Sequence, residues 1–158
     1  MAGYRRCAVR FQADVLASSG HSDPNFDVGV QLNNPVFREG ESLVLSLAPT
    51  QPMWVQVFQW LPYEQTADQV RRLFPHSPDD QAFIQAPAVL PGRNYDYKMV
   101  LPPGGRKAVD EYVLVLASRQ PLNLQDKYTL DDFSRLVAEL PRGDSRLVRR
   151  SYLIVPGS

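Results

Sequence analysis

Apolar and polar side chains alternate with a period of two along most of this chain, and that alternation limits the fold more than any other feature. Over residues 5–16, Cys7, Val9, Phe11, Ala13 and Val15 alternate with Arg6, Ala8, Arg10, Gln12 and Asp14, the pattern of a strand with one buried face. Phe26, Val28, Val30 and Leu32 repeat it, and "NNP" then breaks the run. "FREGESLVLSL" places a turn at Glu39 and Gly40 before a strand with Leu43, Leu45 and Leu47 on one side. "MWVQVFQWL" is apolar on both faces, which predicts a central strand with Val55 and Val57 opposite Trp54, Phe58 and Trp60. "DQVRRLF" and "YDYKMVL" follow, the latter with Tyr95, Tyr97, Met99 and Leu101 aligned. "DEYVLVLAS" is buried on both sides at its middle, and "SRLVRRSYLIV" predicts a last strand over 146–155.

One segment departs from this period. In "TLDDFSRLVAEL", Leu130, Phe133, Leu136, Val137 and Leu140 share one face at helical spacing. Thr129 suits the N-cap, Asp131 and Asp132 complement the helix dipole, and Pro141 and Gly143 end the run, so a helix is expected over 130–140. Seven or eight strands, fourteen prolines and one late α-helix predict a mainly all-β fold. The expected architecture is an antiparallel immunoglobulin-like β-sandwich forming one domain over 1–158.

The totals exclude several function classes. A chain of 158 residues buries enough surface to fold without staples. Seventeen basic and seventeen acidic side chains cancel, so no overall field draws in nucleic acid, and none is expected as a partner. Cys7 stands alone, which removes an intrachain disulfide and any multi-cysteine zinc site. No apolar run approaches the length of a transmembrane segment, and the N-terminus carries no hydrophobic signal core.

The order "FREGESLVLSL", "PMWVQVFQW", "VRRLFP", "VLPG", "MVLPPGGRKAVDEYVLVLASRQPL" resembles the bacterial domain-of-unknown-function 4384 family over about residues 9–122. The resemblance implies a sandwich domain that accompanies envelope proteins or peptidases, and so a periplasmic or cell-envelope setting, with the cytoplasm left open. It implies no catalytic residues.

Four clusters invite a chemical reading. In "HSPDD", His76, Asp79 and Asp80 offer an imidazole and two carboxylates to a divalent cation. The plainer reading is a solvated corner, shaped by prolines and closed by aspartate turn chemistry, with Leu73 and Phe74 as its anchor. That reading is preferred, with no metal or other cofactor. Cys7 faces inward and lacks a nearby histidine in sequence, "ASSGHS" makes no nucleophile elbow, and "PPGGRK" lacks phosphate-loop spacing, so no catalytic residue and no enzyme activity are expected. Trp54 and Trp60, with Phe58 and the nearby Tyr63, form either a ligand face for glycan or a second core beneath the helix. Arg6 and Arg10 near one end of the chain, with Arg149 and Arg150 near the other, form a basic strip for an acidic partner or guard exposed edges.

The expected function is a noncatalytic interaction or structural module that binds a protein partner. Arg6, Arg10, Arg149, Arg150, His76, Asp79 and Asp80 are its candidate contacts. A small-ligand or glycan module using Trp54, Trp60 and Tyr63 is the alternative.

Overall fold

In a computed structural model of the chain, residues 20–104 and 107–157 are described. The strand expected over 5–16 lies outside them, and with it Cys7, Arg6 and Arg10. The elements run β1 (Val28–Leu32), β2 (Val36–Arg38), β3 (Ser42–Leu43), β4 (Leu45–Pro49), β5 (Met53–Trp60) and β6 (Val70–Phe74). They continue with β7 (Phe83–Ile84), β8 (Ala88–Leu90), β9 (Tyr97–Lys98), β10 (Val109–Ser118), β11 (Lys127–Tyr128), α1 (Leu130–Glu139) and β12 (Ser145–Val155). The fold is mostly β, with one short helix.

Three sheets result. β1, β4 and β8 form one, β3 and β9 a second, and the largest runs β11-β6-β5-β10-β12-β2 with β7 also on β5. The two segments apolar on both faces, β5 and β10, sit in its middle and pair antiparallel from Tyr112 opposite Trp60 to Ser118 opposite Trp54. Only an interior position hides both faces of a strand, which is why these sequences lose their alternation there. Val28, Val30, Leu45 and Leu47 of the smaller sheet share one apolar core with Met53, Val55, Val57, Val113, Val115 and Ile154 of the larger.

On the opposite face of the large sheet, α1 covers Phe58 and Leu114 with Phe133. Thr129 caps the helix, its side-chain oxygen accepting from the Asp132 N–H at 3.1 Å. The expected turn before β3 is present: Gly40 has φ of +90°, a conformation that costs glycine little, and its N–H donates to the Met99 carbonyl at 2.8 Å.

The structure corrects four details. The described residues contain twelve strands rather than seven or eight, because "FREGESLVLSL" splits at Val44 and three further strands, β7, β9 and β11, have only two residues each. At that split Asn33 substitutes for a neighbouring strand, its Oδ1 accepting from the Val44 N–H and its Nδ2 donating to the Ser42 carbonyl. The pairing is not wholly antiparallel, since β2 joins β12 in parallel from Val36 opposite Leu153. "YDYKMVL" is strand only at Tyr97–Lys98. Of the proposed anchor pair, Phe74 is buried while Leu73 is half-buried against the core, because β6 hides its ends and not its centre.

Candidate functional site

The helix leaves part of the large sheet's outer face uncovered. Trp60 of β5 stacks on Tyr112 of β10 with ring centroids 4.5 Å apart and planes 26° from parallel. The Arg149 guanidinium lies 5.5 Å above the Tyr112 ring, within range of cation–π attraction. Helix residues Leu130 and Val137 face Leu114 and Leu147 across a groove of about 330 Å³, with Trp60 and Arg149 in its lining. Leu147 remains 39% exposed. Among the described residues the buried Trp60 indole N–H finds no hydrogen-bond acceptor, and Arg149, apart from its place over Tyr112, meets no carboxylate within ion-pair distance.

The aromatic residues singled out in the sequence do not make one platform. Phe58 packs on Phe133 at 4.9 Å and so lies beneath the helix, and Trp60 is at the groove. Trp54 packs instead on Phe83 of β7 at 5.2 Å. Tyr63 turns to the other side of the sheet, where its hydroxyl donates to Glu111 Oε1 at 2.6 Å. The arginines also part company. Successive residues of a strand point to opposite faces, so Arg149 reaches Tyr112 while the Arg150 Nε donates to the Val30 carbonyl of β1 at 3.1 Å. Arg150 thereby ties the two sheets together.

In the corner after β6, Asp80 Oδ2 accepts from the backbone N–H groups of His76 and Ser77 at 2.7 and 3.0 Å, and the Asp80 N–H donates to the Ser77 carbonyl. That carboxylate closes a turn. The His76 ring packs on Tyr95 with centroids 4.3 Å apart, and Asp79 is exposed. Among the described residues no three His, Cys, Asp or Glu side chains gather where a cation could sit.

Sequence reasoning passed over the most unusual group of the core. Glu111 of β10 is only 2% exposed and stands on the same inward face as Val109, Val113 and Val115. Its Oε2 accepts from Gln59 Nε2 at 2.7 Å and from the Tyr152 hydroxyl at 2.6 Å, beside the Tyr63 bond to Oε1. Burial and the adjacent carboxylate push both the Tyr63 and Tyr152 hydroxyls well above the usual phenol range, so each stays a donor. The signal was present in "VDEYVLVLAS": counting by two from Val113 puts Glu111 inside, and a buried carboxylate is rare unless paired.

Comparison with family models, with curated protein sequences and with solved structures finds no match.

Proposed function

We propose that this chain is an immunoglobulin-like β-sandwich serving as a noncatalytic interaction module of a larger bacterial assembly, and that it binds a protein partner in the groove between α1 and β12. The shared core between a three-stranded and a seven-stranded sheet supports the sandwich reading. The likeness to the family named above supports an accessory role at the cell envelope.

The groove is the observation that carries the binding reading. Its lining is mostly apolar, and among the described residues Arg149 at its edge meets no carboxylate within ion-pair distance. A partner segment that presents a large apolar side chain next to Asp or Glu would complement both, the apolar group filling the groove and the acid meeting Arg149. Panning a random peptide library on the full chain tests this. The expected consensus pairs an aromatic or leucine with an acidic residue, and binding weakens at least about tenfold in Leu147→Asp and in Arg149→Glu. Selected peptides that bind both variants as well as the parent would overturn the groove assignment. Concentration-dependent dimerisation that Leu147→Asp abolishes would reassign the groove to a second copy of the chain.

A further inference from the structure

Glu111 also lines a cleft on the other side of the large sheet, about 340 Å³ in volume, together with Tyr63, Lys98, Val100 and Pro102. That volume is at the lower end of small-molecule sites, roughly 300–1,000 Å³. The charges in the cleft are unevenly matched. Arg71 is already 3.7 Å from Glu64. Among the described residues Glu111 has only neutral hydrogen-bond donors and Lys98 has no ion-pair partner. Glu111 Oε1 accepts from Tyr63 alone among these donors, which leaves acceptor capacity on that oxygen.

A buried carboxylate gains most from a cation, because little water competes for it. A bare cation would also meet the unpaired ammonium of Lys98, and a bare anion would meet Glu111. A molecule carrying both charges avoids each conflict. The exposed Val100, at 63%, and the neighbouring prolines offer apolar surface to the rest of it.

We propose that this cleft binds a small zwitterion with an apolar side chain, of the α-amino acid class, its ammonium on Glu111 and its carboxylate on Lys98. The site is separate from the groove beside α1 and does not depend on that groove's having a partner.

Calorimetric titration of the full chain with L-leucine, isopentylamine and 4-methylpentanoate separates the two charges. L-leucine should bind more tightly than either singly charged probe. Glu111→Gln and Lys98→Gln should each weaken it about tenfold to a hundredfold, the range expected for a lost charge-assisted hydrogen bond. Lys98 is exposed, so its variant remains informative even if Glu111→Gln fails to fold. The proposal fails if L-leucine does not bind, if isopentylamine binds equally well, or if Lys98→Gln leaves the affinity of L-leucine unchanged.

Discussion

Glu111 and its neighbours show how much one side chain's surroundings decide. The residue sits on an apolar face, yet Tyr63, Tyr152 and Gln59 supply enough hydrogen bonds to keep a carboxylate there. Burial decides the matter equally at the end of β6. Phe74 is 9% exposed and belongs to the main core, whereas Leu73 only packs against it. Phe74→Ala should therefore cost about 3–5 kcal/mol, the usual range for a buried aromatic, and Leu73→Ala clearly less. Urea unfolding of the two variants checks the order, and a larger loss at Leu73 would contradict this account of the corner.

Among the elements, α1 has the most local specification. Thr129 accepts from the Asp132 N–H, and Gln69 Oε1 reaches from the loop before β6 to accept from the Leu130 N–H at 3.1 Å. Two of the helix's unpaired N-terminal donors are thus satisfied, one from within the segment and one from outside it. Thr129→Ala should destabilise the protein by about 1 kcal/mol, and Thr129→Asp should restore most of that loss, since an acid both caps and complements the dipole. Equal melting temperatures for parent and Thr129→Ala would show that the Gln69 bond suffices. The corner of residues 76–80 is specified in the same local way, by one aspartate and two backbone N–H groups.

For the whole molecule, the buried hydroxyls set a limit at high pH. Tyr97 is pushed up to about 12, first by burial and then by the Asp80 charge, and Tyr63 and Tyr152 are raised further. Unfolded tyrosines lose their protons near pH ~10, so above that point the folded state binds more protons than the unfolded one, and stability falls as pH rises. The tyrosine contribution is complete below about pH 10 and, for Tyr97, is lost on passing about 12. Urea midpoints measured at rising pH should decline from about pH 10 onward, with a shallower decline in Tyr97→Phe. An identical slope in parent and variant would remove Tyr97 from the explanation.

Periodicity in the sequence was enough to determine the β-rich fold, the inward set Val28, Val30, Leu45 and Leu47, the central placement of β5 and β10, and the helix with its Thr129 cap. These depend on local geometry, since a strand repeats every two residues and a helix every 3.6. Periodicity does not say which strands become neighbours. The parallel β2–β12 pair, the separation of Arg149 from Arg150 by function, and the division of Trp54, Trp60 and Tyr63 among three surroundings arise from contacts between distant segments. The same holds for both candidate sites. Glu111 is 48 positions from Tyr63 and 41 from Tyr152, and Trp60 and Leu147 line one groove only because β10 lies between their strands. Proximity across a sheet follows from strand order, and strand order is settled by the packing of the whole core.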